Sequence, residues 1–267
     1  MQRMIPLALQ PIARTVYHKV FRLHLRLRFW CADRFGAPTE IPVPPAMLRY
    51  RVSQALSVSG FLRIGRGCAS LIRQRVQDMG IEIAPTHRVL DFGCGCGRTI
   101  SWLLRDSDAE FHGADVDGDA IDWCKKHLPR GRFVTNAPAP PLHYPTGYFD
   151  VVYCFSVFTH LNESMQDLWI DELHRILKPG GVLVLTVHGK NATEGLDEDG
   201  RRALQAGGLV HSRSGKLKGL LPDWYQTTWH SRGYIVARLS ASLEDVRYYE
   251  VPDGLQDVVA GRKAKRL

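Results

Sequence analysis

At 267 residues and 45% hydrophobic content, the chain can bury a full core and fits one α/β domain with appendages. It holds no run near the roughly 18 uninterrupted apolar residues of a spanning helix, and its six cysteines form neither a CxxC pair nor a disulfide-like framework, which points to reduced thiols in a cytoplasmic protein. The net charge of +8 sits at the ends: residues 1–32 carry +6 with no acid and the last six residues +4, which leaves the body at −2 and argues against a nucleic-acid groove across the fold.

From Pro11 to Trp30, the apolar residues Ile12, Val16, Val20, Leu23, Leu27 and Trp30 recur at steps of four and three, beside a basic stripe of Arg14, His18, Arg22 and Arg26. That pattern predicts a basic amphipathic helix ending near Gly36, followed by a stiff Pro-rich linker from Pro38 to Pro45. Residues 1–45 are thus expected to form an extension, and 46–267 the main domain. A second helix is expected from Phe61 to Met79, with Ile64, Cys68, Ile72 and Val76 on one face and Gly80 as its stop. Short apolar runs then alternate with helical stretches: His87–Phe92, Glu110–Val116, Gly131–Thr135, Asp150–Ser156 and Gly181–Val187. Such alternation predicts parallel strands joined by crossover helices. Two last strands, Val246–Val251 and Gln256–Ala260, are separated only by Pro-Asp-Gly-Leu, a link too short for a parallel crossover, so they are expected to pair antiparallel.

Val89-Leu90-Asp91-Phe92-Gly93-Cys94-Gly95-Cys96-Gly97-Arg98 is an apolar strand running into a glycine loop. Glycines let the backbone turn tightly and let a ligand approach with no Cβ in the way. Asp115 ends the next strand, 20 residues beyond Gly95, where a carboxylate can accept both hydroxyls of a ribose. A dinucleotide loop would need a further glycine where Arg98 stands, and Asp91 would repel a pyrophosphate. The loop therefore favours a nucleoside that carries positive charge.

These stretches, with Gly113-Ala114-Asp115-Val116-Asp117, Tyr148–Val152, Ser156–Leu161 and Leu177-Lys178-Pro179-Gly180-Gly181, resemble a class I S-adenosylmethionine-dependent methyltransferase domain of the small-molecule type from about Arg88 to Val187. Gln256–Val259 is similar to the last strand of the same group. The resemblance implies a Rossmann-like, seven-stranded, mostly parallel α/β sheet with helices on both faces and an antiparallel last strand. It implies S-adenosylmethionine as cofactor, with Asp91 and the backbone of Gly93, Cys94 and Gly95 at the methionine end. Asp115 would take the ribose, Val116 the adenine face, Asn136 the adenine amino group, and Phe155 the floor. No metal is expected at Cys94 and Cys96, which read as small residues in a tight loop.

Methyl transfer from a sulfonium requires in-line alignment above all, and an oxygen or nitrogen acceptor also needs a base, for which histidine suits neutral pH. His160, after the fourth strand, and His230, after a long insert, are the candidate bases, with His188 at the end of the fifth strand as a third. The insert Gly189–Trp229 lies at the strands' C-terminal edge; its Trp224, Tyr225, Gln226 and Trp229 suit either an acceptor pocket or a surface excursion packed by its own aromatics. Three readings stand for the N-terminal helix: a cap on the domain, an anchor on an anionic membrane surface, and a transit peptide, against which the absence of serine before Ser53 counts. The expected function is O- or N-methylation of a small-molecule, lipid-linked or glycan acceptor. Its rivals are an RNA or protein methyltransferase and a noncatalytic cofactor-binding module.

Overall fold

The computed structural model describes residues 27–31, 39–53, 57–193, 195–212, 226–251 and 256–265. Most of the expected N-terminal helix lies outside the described residues; 27–31 are helical, and Phe29 is buried with its ring 5.6 Å from that of Tyr50. The helices are α1 (Ala46–Ser53), α2 (Val58–Asp78), α3 (Ile100–Asp106), α4 (Gly118–His127), α5 (Glu163–Ile176), α6 (Glu198–Gln205) and α7 (Arg232–Ser240). The strands are β1 (Arg88–Phe92), β2 (Glu110–Asp115), β3 (Arg132–Thr135), β4 (Phe149–Cys154), β5 (Leu177–Val187), β6 (Leu209–Ser212), β7 (Thr227–His230), β8 (Glu244–Tyr249) and β9 (Asp257–Arg262).

Seven strands form one sheet in the order β3-β2-β1-β4-β5-β9-β8. The first five run parallel, and β9 pairs antiparallel with both β5 and β8. Burial on both faces explains why the central strands read as unbroken apolar runs. Val89 of β1, Val151 and Tyr153 of β4, and Val182 and Val184 of β5 join one core with α2, α3 and α4. Their neighbours Leu90, Val152, Cys154, Leu183 and Leu185 join a second core with α5 and α7. This period of two puts a core on each side of the sheet, the Rossmann-like arrangement expected.

Five of these helices begin where short polar side chains accept from orphan amides: Ser57 from Gly60, Asp117 from Ala120, Asn162 from Met165, Asp197 from Gly200 and Ser231 from Tyr234. Asp117 thus caps α4. Two elements are additions to the sequence pattern. One is α1, whose eight residues carry no apolar stripe. The other is an antiparallel pair within the insert, with Leu209 opposite His230 and Ser212 opposite Thr227. β7 lies outside the main sheet but is tied to its end, where His230 N–H donates to His188 O (2.9 Å) and Thr228 N–H to Thr159 O (2.8 Å).

Candidate active site

The parallel strands end together along one edge, where open α/β sheets bind ligands. The glycine loop leaves β1 there. Its turn is held by Gly93 N–H donating to Ala114 O (2.7 Å) and Gly95 N–H donating to Asp115 Oδ2 (2.7 Å). Gly93 has φ of 80° and Gly95 of 51°, in the left-handed region that disfavours a Cβ. A Cβ on Gly95 would lie 2.5 Å from Val52 Cγ1, and one on Gly93 would overlap Val157. The loop is therefore glycine for both backbone and packing reasons.

Asp91 sits at the C-terminal end of β1, beside Tyr153 of β4 in the sheet register, and is 2% exposed. Its Oδ2 is buried without a hydrogen-bond partner, as is the Tyr153 hydroxyl. Burial pushes the Asp91 carboxyl up to about 7; the Tyr153 hydroxyl pulls it back, Asp115 adds to the rise and Arg98 opposes it. An unpartnered buried carboxylate is costly, and a ligand ammonium would offset that cost. Asp115 also accepts from Asp117 N–H through Oδ1 (2.8 Å), and burial raises its pKa. Two accepted bonds leave roughly half of a carboxylate's acceptor capacity for a ribose.

Asn136 follows β3, anchored by its N–H to Asp115 O (3.0 Å), and its amide nitrogen donates to Ala137 O (2.7 Å). Its Oδ1 is buried without a partner, which suits it to accept from an exocyclic amine. Val116 is half-buried next to Asp115, and Phe155 is half-buried after β4 with the Arg98 guanidinium carbon 5.4 Å from its ring centre. Cys94 is buried, its thiol directed at Gly95 O (3.6 Å), and burial raises its pKa well above the ordinary range. The structure thus gathers Asp91, Gly93, Cys94, Gly95, Asp115, Val116, Asn136 and Phe155 along one edge. The orphaned Asp91 and Asn136 oxygens fit the two ends of an aminoacyl nucleoside.

Sequence periodicity gave no sign of what lies over the loop. Arg51 of α1 pairs with Asp117 (2.9 Å) and Asp119 (3.2 Å), Cys96 Sγ donates to Leu48 O (3.6 Å), and Arg98 Nη1 donates to Val52 O (2.7 Å). A polar chain across the ends of β4, β5 and β9 was equally hidden. Ser156, at φ of 63°, donates its N–H to Thr186 Oγ1 (2.8 Å), Thr186 Oγ1 donates to Gln256 Oε1 (2.6 Å), and Gln256 Nε2 donates to Ser156 Oγ (2.6 Å). A non-glycine residue held left-handed at a strand end marks stored strain of the kind found at functional sites.

The histidines separate. His160 is half-buried and donates from Nδ1 to Gln226 O (2.5 Å), which puts the imidazole lone pair on Nε2; burial lowers its pKa, so it is neutral near pH 7. His230 is fully buried, with Nε2 3.1 Å from Gln166 Oε1, while Gln166 Nε2 donates to Phe158 O and Leu161 O. Burial, with His188 nearby, pushes the His230 pKa down to about 3. His188 is pushed down to about 4, by burial first and His160 second. Within the insert, Trp229 packs with Leu196, Leu204 and Val210 and donates to Ala192 O (2.6 Å), so it fills the insert's own small core. Gln226 Oε1 lies 2.5 Å from His211 Nε2, and Trp224 and Tyr225 lie outside the described residues.

Residues 90–185 match a family model described as a methyltransferase domain. The chain is similar to Methyltransferase GfsG of Streptomyces halstedii, 28% identical over 111 residues that make up 39% of either protein. It is also similar to a fatty-acid O-methyltransferase of Mycolicibacterium smegmatis, 34% identical over 101 residues, 37% of this chain and 36% of the relative. The matched segment thus spans well under half of these relatives. Among solved structures, the 1,6-didemethyltoxoflavin-N1-methyltransferase of Burkholderia thailandensis superposes with a TM-score of 0.55 at 15% identity, over 86% of this chain and 95% of that one. That likeness is one of fold. With the sheet order and the glycine loop in agreement, residues 90–185 are a methyltransferase-domain segment on a Rossmann-like sheet.

Proposed function

We propose that this chain transfers the methyl group of S-adenosylmethionine to an oxygen or nitrogen of a small-molecule, lipid-linked or glycan acceptor, releasing S-adenosylhomocysteine. The observation that carries the reading is Asp91 Oδ2, buried without a partner beside the glycine loop. Residues 46–267 would form the catalytic unit. The bound cofactor would supply an already activated methyl on its sulfonium sulfur. Asp91 would hold the ammonium, the Gly93–Gly95 backbone the methionine chain, Asp115 the ribose, Val116 and Phe155 the adenine face and floor, and Asn136 Oδ1 the adenine amine. The protein's further work is alignment and water exclusion. His160, neutral with its lone pair on Nε2, is our candidate proton acceptor. His230 is enclosed and committed to Gln166, so we assign it to holding β7 in place rather than to the base role its position in the sequence suggests.

Names among the relatives support a small acceptor: one is a fatty-acid O-methyltransferase, and a structure of similar fold is a 1,6-didemethyltoxoflavin-N1-methyltransferase. The test is incubation of the full chain with methyl-labelled cofactor and separated acceptor pools: lipid, glycan, small polar molecule, RNA and protein. Label in the lipid, glycan or small-molecule pool supports the reading. Label in RNA or protein alone replaces the acceptor class, and S-adenosylhomocysteine binding without any transfer makes the chain a noncatalytic module.

A cytoplasmic location, with membrane contact through the N-terminal segment, is part of the same proposal. No helix among the described residues is long and apolar enough to cross a membrane. Phe29 buried against Tyr50 supports a cap, while Leu27 and Trp30, 60% and 56% exposed, offer apolar surface to an anionic bilayer. Salt-sensitive co-sedimentation with anionic vesicles, lost when residues 1–40 are removed, selects the membrane; both forms in the supernatant select the cap.

A further inference from the structure

Ser156, Thr186 and Gln256 close a circuit of hydrogen bonds at the ends of β4, β5 and β9, and the circuit has a direction. Thr186 is fully buried; its hydroxyl accepts from Ser156 N–H (2.8 Å) and gives its one proton to Gln256 Oε1 (2.6 Å). That turns the Gln256 amide nitrogen toward Ser156 Oγ, which accepts from Nε2 (2.6 Å). Ser156 Oγ therefore accepts within the circuit, and among the described residues its own proton meets no acceptor. The arrangement is held against a cost, since Ser156 stands at φ of 63°, where a side chain is disfavoured. Both of its chain neighbours touch the glycine loop: Val157 packs against Gly93, and the Phe155 ring centre lies 5.4 Å from the Arg98 guanidinium carbon. Asp91, Asp115 and Asn136 stand at the ends of β1, β2 and β3. In the sheet order β3-β2-β1-β4-β5-β9-β8, the half-buried Ser156 thus opens the other half of the edge.

We propose that Ser156 selects the methylated substrate by donating its hydroxyl proton to a lone-pair oxygen or nitrogen beside the atom that takes the methyl, with Thr186 and Gln256 as positioning residues that keep that proton free. Resting on the methyl-transfer reading above, this gives the ends of β1, β2 and β3 to the cofactor and those of β4, β5 and β9 to the second substrate. A carbonyl, a carboxylate, an ether or a ring nitrogen answers such a donor. An ammonium or an amide N–H in the same place would set proton against proton and leave both unanswered, so the circuit discriminates by polarity.

The test uses the full chain with saturating methyl-labelled S-adenosylmethionine, titrated with the separated acceptor pool that wild type labels. Ser156→Ala and Gln256→Glu should each raise the half-saturating amount of that pool roughly three- to tenfold, the loss of one neutral hydrogen bond. Affinity for S-adenosylhomocysteine, read by calorimetry, should stay within about twofold of wild type. The Gln256→Glu variant carries the distinguishing signature. Its carboxylate still accepts from Thr186 but has no N–H for Ser156, so Ser156 must spend its proton inside the circuit. As pH is lowered toward the ordinary carboxyl range of ~4–5, the acid regains a proton to give to Ser156 Oγ. The gap between Gln256→Glu and wild type should therefore narrow on acidification, while that of Ser156→Ala should not. Wild-type half-saturation in either variant overturns the proposal, and so does a Gln256→Glu gap that ignores pH. A loss of S-adenosylhomocysteine affinity as large as the loss for the pool also overturns it, being the mark of a circuit that only braces the loop. If Ser156→Ala does not fold, Ser156→Gly, which suits the left-handed backbone, takes its place. If wild type binds S-adenosylhomocysteine and labels no pool, the methyl-transfer reading itself falls and takes this role of Ser156 with it.

Discussion

At the loop end of the cleft, Asp91 is buried with a carboxylate oxygen, Oδ2, that accepts no hydrogen bond among the described residues. At the hairpin end, buried polar groups answer one another: Thr228 Oγ1 donates to Leu161 O, His211 Nδ1 meets Thr228 Oγ1, and Gln166 joins His230 to two backbone carbonyls. The orphans at that end are neutral: the Nδ1 atoms of His188 and His230 and the Thr159 hydroxyl. A neutral orphan costs about 1–3 kcal/mol, which a fold can absorb, whereas an unanswered buried charge costs more. The contrast sets a region with an unanswered acid oxygen against one whose polar groups mostly satisfy one another, although both lie on one sheet edge and both are rich in chemistry-bearing residues.

His160 is where that contrast is sharpest, because it belongs to the hairpin end yet is only half-buried. If it accepts the acceptor's proton, His160→Ala should cut turnover by about 10²–10⁴ while S-adenosylhomocysteine affinity stays near wild type. Turnover within about threefold of wild type would remove it from catalysis and leave the hairpin end wholly structural.

Asp91→Asn tests the other end. It should weaken S-adenosylhomocysteine roughly ten- to hundredfold, read by calorimetry. The carboxyl titrates near 7 and must be ionised to hold an ammonium, so wild-type affinity should fall as pH drops below about 7, and the variant should lose that dependence. A flat wild-type profile would mean that Asp91 does not meet the ligand's charge.

Acid should undo the hairpin end by a different route. His188 and His230 are held below their ordinary 6.5, at about 4 and about 3, so the unfolded chain binds protons that the folded one refuses. Their contribution is fully present above 6.5 and is lost progressively as pH falls toward 4 and then 3. His230→Ala should cost about 1–3 kcal/mol at neutral pH, from the orphaned Gln166 oxygen and the lost packing, and should flatten the acid limb of the thermal denaturation profile. A large turnover loss in a variant of unchanged stability would instead restore His230 as a base.

The smallest effect is expected at Asn136. Its single uncommitted oxygen should contribute about 0.5–1.5 kcal/mol to binding of an adenosyl ligand, so Asn136→Ala should weaken it roughly two- to tenfold, and inosyl analogues should not feel the change. An equal loss for adenosyl and inosyl ligands would take the adenine amine away from Asn136.

Local chain chemistry determined most of the fold and half of the cleft. All seven strands of the main sheet were legible in the sequence, the central ones as apolar runs because burial on both faces imposes that composition, while the edge strands β3 and β8 are mostly exposed or half-buried. The loop was legible for a related reason: positive φ and close approach demand glycine at Gly93 and Gly95, and a strand-end carboxylate such as Asp91 or Asp115 stands out against an apolar run. Tertiary structure alone decided which polar residues are answered. Nothing in the spacing says that His230 faces Gln166, that Trp229 turns into the insert's own core, or that Ser156, Thr186 and Gln256 meet across three strands. It was likewise tertiary structure that laid α1 over the loop and tied Arg98 to the carbonyl of Val52. Periodicity reports which face of an element is apolar, while partnership between polar groups depends on contacts between residues as far apart as Ser156 and Gln256, which no local pattern encodes.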